Sequence, residues 1–116
     1  MLVLVAVGRE GDVKARRTKR EIPPIHPGDL LKTEFLDELG MSVAALARAI
    51  GVPRSSLNDF VHGRQRLTAE LAMRLGRYFG TSAELWMGLR THYELEVAAE
   101  LLGDRLEREI TPRKAA

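Results

Sequence analysis

Residues 41–66, MSVAALARAIGVPRSSLNDFVHGRQR, constrain the fold of this chain more than any other stretch. Ser42 is a suitable helix N-cap, and apolar residues follow it at spacings of three and four until Gly51. Pro53 suits the start of a second helix, because its fixed φ and missing N–H cost nothing there. We predict that this helix covers about Arg54 to His62. The predicted inward-facing residues are Val43, Leu46, Ala47 and Ile50 in the first helix, and Leu57 with Phe60 or Val61 in the second.

Two short helices joined by so tight a turn are typical of helix-turn-helix DNA-binding units. In such units the second helix places its N-terminal residues in the major groove. An ordinary pair of core helices with a solvated polar face would show the same periodicity. If the pair does bind DNA, the predicted base-reading residues are Arg54, Ser55, Asn58 and Asp59, with Arg54 the strongest candidate.

The distribution of charge favours nucleic-acid binding over a purely structural pair. Six arginines lie between Arg48 and Arg77, and only Asp59 and Glu70 oppose them. The planar guanidinium suits phosphates and guanine edges. The preceding segment, residues 29–38, is acidic instead, and the net charge of the whole chain is only +2. The positive charge is therefore local to the motif, as a nucleic-acid footprint requires.

Composition excludes several other classes of protein. A chain of 116 residues supports one domain with a small core. It has no cysteine, which rules out disulfides and thiolate metal ligands and fits a reducing cytoplasm. No apolar run approaches the ~20 residues of a membrane span. We therefore expect a cytoplasmic protein with no cofactor, no metal, no membrane contact and no small-molecule substrate.

An enzymatic function finds no support in the residues. His26, His62 and His92 lie far apart in sequence and lack partners at metal-ligand spacing, so each is interpreted as a surface or loop histidine. On one helix, Ser55 would lie roughly 10 Å from His62 along the axis, too far for a nucleophile and its base. No glycine-rich phosphate loop is present. We predict no catalytic residues.

The amino-terminal segment, residues 1–21, is interpreted as an arm outside the folded domain. Met1 to Val7 is strongly apolar and suggests a short strand, a disordered arm or an upstream start; the order of charges does not fit a secretory signal. The basic residues between Arg9 and Arg20 form a solvated linker or, beside a DNA-binding domain, track phosphates or enter a minor groove.

Three further helices are predicted around the motif, which makes the fold all-α with five helices. The first begins at Pro27 and ends at Gly40, the fourth is capped by Thr68 and ends at Gly80, and the last runs from Ser82 to Gly103. Their predicted apolar stripes consist of Leu30, Leu31, Phe35 and Leu39, of Leu71, Leu75 and Phe79, and of Leu85, Trp86, Leu89, Tyr93, Val97 and Leu101.

The last helix is longer than a small five-helix core can cover. Its far half, with Tyr93, Val97 and Leu101, is therefore a predicted homodimer interface. The alternative is that this helix folds back on its own domain. We place the DNA-binding domain, with its dimerising helix, at residues 22–103 and a charged tail at residues 104–116.

Three groups of residues give the chain a more specific character. They are the opening HPGDLLKTEFL of residues 26–36, the loop Gly63-Arg64 followed by Leu67-Thr68, and the series Phe79-Gly80-Thr81-Ser82, Trp86, Leu89 and Tyr93-Glu94-Leu95. In these features the stretch from His26 to about Leu95 resembles the HigA-type antitoxins, also called the VapI group, within the lambda-repressor-like (XRE-family) helix-turn-helix proteins.

This resemblance implies a lambda-repressor-like fold and a dimeric repressor that binds the palindromic operator of its own operon through the major groove. It also implies a second partner, a HigB-type toxin, which is a small RelE-like ribonuclease acting on messenger RNA. By position, Arg54, Ser55 and Asp59 would read bases. The residues assigned to the DNA backbone are Ser42, Ser56, His62, Arg64 and Arg66.

Five positions depart from the family pattern. Ser or Thr is usual at the position of Pro53, where its hydroxyl caps the second motif helix or touches phosphate, and many relatives have glutamine where Val43 lies. Asparagine is usual at His62, glutamine at Arg90 and aspartate at Glu94. The first three changes alter the expected contacts to the DNA backbone, and the last two leave the expected fold intact.

Two alternatives to an autoregulating antitoxin remain at this point. One is a stand-alone regulator of the same superfamily with no toxin. The other is a toxin-binding module that has lost sequence-specific DNA binding, which predicts weak and salt-sensitive DNA affinity.

Overall fold

The secondary structure of residues 23–114, which the computed structural model describes, is entirely helical. Helix α1 is a continuous helix made of an α-helical turn, a π-helical segment and a second α-helical turn. Within the described residues, the five predicted helices are present and a short sixth follows them, which confirms the all-α class. The bounds are Pro27–Leu30, Leu31–Leu36 (π) and Asp37–Leu39 for α1, Val43–Ile50 for α2, Arg54–Val61 for α3, Ala69–Phe79 for α4, Ala83–Leu102 for α5 and Arg105–Glu109 for α6.

The predicted caps set the starts of three helices. The hydroxyl of Ser42 accepts a hydrogen bond from the backbone N–H of the third residue onward at 3.0 Å, and Thr68 and Ser82 do the same at 3.1 Å and 3.0 Å. Helix α2 ends at Gly51, whose φ of 74° lies in the left-handed region that favours glycine. These local signals confirm the predicted start and end of α2 and the predicted starts of α4 and α5.

The apolar stripe of α1 differs from the prediction at its end. Leu39 is 61% exposed, whereas Leu36 is fully buried together with Leu31. The reason is the π-helical segment, in which the N–H of Asp37 bonds to the carbonyl of Lys32, five residues earlier. This longer turn replaces the i, i+4 spacing of the inward positions by i, i+5, so the prediction for Leu39 was wrong.

The core lies within the compact unit Ile25–Glu94, to which α1 to α4 and the first half of α5 belong. Phe35 of α1 packs between two aromatic rings, with centroid distances of 4.7 Å to Phe79 and 5.2 Å to Trp86. The buried apolar residues are Leu31, Leu36, Leu46, Ala47, Ile50, Leu57, Phe60, Val61, Leu67, Ala72, Leu75 and Trp86.

Residues from Leu95 onward belong to a second compact unit, which contains the last two turns of α5 and helix α6. The arm predicted at residues 1–21, with its strand and basic stretch, lies outside the described residues, and the domain limits 22 and 103 stay predictions. In the described part of the chain, no helix has the length and apolar character that a membrane span needs.

Candidate nucleic-acid interface

Helix α3 presents a polar face that begins at its first turn. Its inner residues Leu57, Phe60 and Val61 are buried, so the helix is held firmly against the domain. Arg54 and Ser55 are exposed on the first turn. Arg54 forms no hydrogen bond or ion pair with any other residue that the structure describes. A guanidinium that is free at the N-terminus of a rigid helix is suited to a base edge in the major groove.

Asp59, on the same face of α3, forms an ion pair with Arg64. Its Oδ1 atom accepts hydrogen bonds from Nε and Nη2 of Arg64, at 3.1 Å and 3.0 Å. The pair is half exposed, so it contributes little to stability. What it does is hold the Arg64 guanidinium beside α3. The predicted base reader and the predicted phosphate contact are thus brought together.

The remaining predicted contacts lie around the same helix. His62 is exposed at the C-terminus of α3, where its Nδ1 lies 2.8 Å from the carbonyl oxygen of Asn58. Asn58 is half-buried, and so is Ser56, which lines a groove of about 230 Å³ between α3 and α4. Ser42 accepts the capping bond of α2 and keeps its hydroxyl hydrogen for a further partner.

Arg66 is part of an ion network that reaches helix α5. Its Nη2 lies 3.3 Å from Oε1 of Glu94, and Oε2 of Glu94 accepts a hydrogen bond from Nε of Arg90 at 3.1 Å. Nη1 of Arg90 donates to the backbone carbonyl of Leu67 at 3.2 Å. Burial raises the pKa of the Glu94 carboxyl, but the hydrogen bonds and charges of Arg90 and Arg66 outweigh it and hold that pKa below its usual value.

Arg74 has a structural role that the sequence did not reveal. Its Nη1 donates to the carbonyl of Ile50 at the C-terminus of α2, at 2.8 Å, and its Nε donates to Glu70 at 3.0 Å. One of the six arginines counted as a basic footprint therefore ties α4 to the end of α2. The spacing of Glu70 and Arg74 indicates an intrahelical ion pair, but nothing in the sequence points to the carbonyl.

His26 was predicted to be a surface or loop histidine, and its exposure was predicted wrongly. It is only 9% exposed. Its Nδ1 accepts a hydrogen bond from the N–H of Gly28 at 2.9 Å, which caps α1, and its ring contacts the rings of Phe60 and Tyr93 at centroid distances of 5.5 Å and 5.0 Å. His26 therefore joins α1 to α3 and α5. The N-cap position before Pro27 was the available sequence signal.

Burial lowers the pKa of His26 below 6.5, because it desolvates the charged imidazolium; Asp29, the backbone of Gln65 and Glu94 act in the opposite direction but do not outweigh it. The unfolded chain thus binds this proton more readily than the folded one. The stability that neutral His26 supplies is complete above pH 6.5 and is lost as the pH falls below that value.

His26→Asn is expected to keep the capping acceptor and remove the titration. We expect it to flatten the decline in unfolding free energy between about pH 7 and about pH 5, while lowering stability at every pH through the lost ring contacts. Urea unfolding of both proteins across this range measures the two slopes. Equal slopes would contradict a folded-state role for neutral His26.

Comparison with known proteins agrees with this geometry. Residues 33–86 match the helix-turn-helix family model. The chain is 43% identical over 82 residues to virulence-associated protein I of Dichelobacter nodosus, covering 71% of this chain and 76% of that protein. It is 36% identical over 80 residues to antitoxin HigA-1 of Vibrio cholerae serotype O1, covering 69% and 73%.

A solved structure extends the match to three dimensions. The antitoxin HigA of Pseudomonas aeruginosa, solved with the higBA promoter, has a TM-score of 0.74 and 47% identity, over 78% of this chain and 99% of that one. The chain belongs to the HigA-type family of helix-turn-helix antitoxins. This confirms the resemblance and the predicted fold, and it places the chain in a family of helix-turn-helix regulators rather than enzymes.

Three departures from the HigA pattern have visible structural consequences. Pro53 occupies the N-cap of α3 with φ −63° and ψ 139°, and α3 has no side-chain cap, as expected for proline. Arg90 and Glu94 bond to each other and, through Arg66 and Leu67, to the loop after α3.

Among the described residues, no group of histidines and carboxylates is arranged to hold a metal ion.

Proposed function

We propose that this chain is a sequence-specific DNA-binding repressor of its own operon that uses α3 as its recognition helix. The observation that supports this most directly is the exposed Arg54 on the first turn of α3, which has no hydrogen-bond or ion-pair partner among residues 23–114. Ser55, Asn58 and Asp59 complete the base-reading set. Support also comes from the Pseudomonas aeruginosa HigA structure, which was solved with the higBA promoter.

The proposed backbone contacts surround this helix. Arg64 and Arg66 follow α3 in an exposed loop, His62 is its C-cap, and Ser56 lies on its first turn. Ser42 begins α2. These residues supply hydroxyl, imidazole and guanidinium donors, which are the groups that bind phosphate oxygens and set the orientation of a protein on the duplex.

A binding titration tests this function. The protein is added to a duplex with the sequence upstream of its gene and to a scrambled duplex of equal length, at two salt concentrations. We expect the upstream duplex to bind at least about 10³-fold more tightly. Equal affinity for the two duplexes would exclude sequence-specific repression, and the toxin-binding module would remain as the alternative function.

We propose that the functional unit is a homodimer formed through the far half of α5. In α5, Leu95 is 65% exposed and Leu101 is 76% exposed, while Tyr93 and Val97 are half-buried. Exposed leucines on one helix are the apolar surface that an interface removes from water. A palindromic operator requires such a two-fold pair.

Sedimentation velocity at micromolar concentration tests the dimer. We expect Leu101→Glu to shift the protein toward the monomer, because a charge is buried poorly in an apolar interface. Leu39→Glu is the matched control, since Leu39 is 61% exposed on α1. A monomeric wild-type protein, or equal effects of the two substitutions, would refute this interface.

We also propose that the chain binds and neutralises a HigB-type toxin encoded beside it. The support is family membership, since a HigA relative carries the name antitoxin. Co-purification with the product of the adjacent gene, and rescue of growth when both are expressed, test the proposal. If no such gene product binds, the chain is a stand-alone regulator.

A further inference from the structure

The two arginines of the ion network at Arg66 are held to different degrees. Arg90 is well anchored, because its side chain is only 23% exposed and its guanidinium bonds to the Leu67 carbonyl as well as to Glu94. Arg66 is more accessible to solvent, with a side chain that is 62% exposed. Glu94 lies between them and uses a different oxygen for each arginine.

Glu94 and a DNA phosphate would offer Arg66 the same kind of partner. Both are anions with oxygen acceptors, and a guanidinium binds either with charge-assisted hydrogen bonds. A phosphate that takes the Nη2 hydrogen bond of Arg66 therefore competes with the Glu94 oxygen at 3.3 Å. The Glu94 carboxylate does not follow Arg66, because Arg90 retains it.

We propose that Glu94 is an internal competitor of DNA phosphate for Arg66. In the DNA-free protein it holds Arg66 against α5, and a phosphate that takes over the Nη2 hydrogen bond of Arg66 opens this ion pair. Glu94 thus acts as a positioning residue that lowers affinity for every duplex, irrespective of sequence. The inference rests on the proposed DNA-binding function and adds a regulatory residue to it.

The size of the effect follows from the exposure of the pair. Exposed ion pairs are weak, and opening one weakens binding by about twofold to fivefold. Glu94→Gln is therefore expected to tighten binding by about that factor on the upstream duplex and on the scrambled duplex alike. It is also expected to steepen the dependence of affinity on salt, by up to about one unit of log–log slope, since Arg66 then binds phosphate without losing a carboxylate.

A double-mutant cycle separates competition from a general charge effect. Removal of any carboxylate near DNA strengthens binding, but only a competitor loses its effect when Arg66 is absent. We expect Glu94→Gln to have almost no effect in the Arg66→Ala background. Glu84→Gln is the matched control, because it removes the same charge from α5 ten residues, or about 15 Å, away.

The four proteins and the control are titrated on both duplexes at low and moderate salt, with thermal melts to verify that each is folded. Unchanged or weaker binding by Glu94→Gln would overturn the inference, and so would equal tightening in the Arg66→Ala background. A wild-type protein that binds neither duplex would instead overturn the proposed function itself.

Discussion

Gly28→Ala is expected to lower the free energy of unfolding by about 3 kcal/mol and the melting temperature by more than roughly 10 °C. A Cβ atom at Gly28 would lie 1.9 Å from the carbonyl oxygen of Phe60 and 2.8 Å from its carbonyl carbon. Both are backbone atoms, so neither can rotate away as a side chain does. Helix α1 would have to separate from α3, which it contacts at this point.

Gly88→Ala provides the matched control for this substitution. Gly88 also lies inside a helix, but apart from its chain neighbours and the backbone of its own helix, no heavy atom of the described residues is within 4 Å of the added Cβ. Alanine there is expected to raise stability by about 0.5 to 1 kcal/mol, since it restricts the unfolded chain and favours the helix. Thermal and urea unfolding of both variants measure the contrast. If Gly28→Ala melted within about 2 °C of the wild type, the close approach of α1 and α3 would be disproved.

Arg54→Ala is expected to weaken binding to the upstream duplex by about 1 to 3 kcal/mol, which is roughly 5- to 150-fold. The effect on a scrambled duplex should be smaller, because only the upstream sequence offers the base edge that a guanidinium reads. Affinities for a set of duplexes with single base changes should reveal one position at which the variant no longer discriminates.

Two further variants distinguish base reading by Arg54 from non-specific electrostatic attraction between an arginine and the DNA backbone. Arg54→Lys keeps the charge but lacks the planar fork, so it should lose discrimination at that position while retaining affinity for scrambled DNA. Arg77→Ala removes an exposed arginine of α4 that no DNA contact is proposed for, and it should affect both duplexes equally. Equal losses on the two duplexes for Arg54→Ala would exclude the base-reading role.

Local signals in the sequence were sufficient for the limits of most helices. Ser42, Thr68 and Ser82 each cap a helix through a residue three positions away, and Gly51 ends α2 in a conformation that suits glycine. These interactions lie within a few residues of chain, so they can be predicted without the fold. The periodic spacing of apolar residues identified most of the core for the same reason.

The tertiary structure alone decided which polar residues are buried, hydrogen-bonded or ion-paired within the protein. His26 is buried against α3 and α5, Arg74 bonds to a carbonyl 24 residues away, and Arg66 meets Glu94 across 28 residues. The spacing of charges along the chain cannot indicate such pairs, since they arise only when distant helices pack together.

By itself, then, the sequence determined an all-helical fold with a basic helix-turn-helix and an exposed Arg54 at the start of its second helix. Packing decided that Gly28 has no space for a side chain, that a π-helical segment buries Leu36 instead of Leu39, and that Arg66 is held by Glu94. The physical reason is the distance along the chain between the residues that interact. Helix formation and capping depend on neighbours within about five residues, whereas steric fit and ion pairing depend on whatever the folded chain brings within a few ångströms.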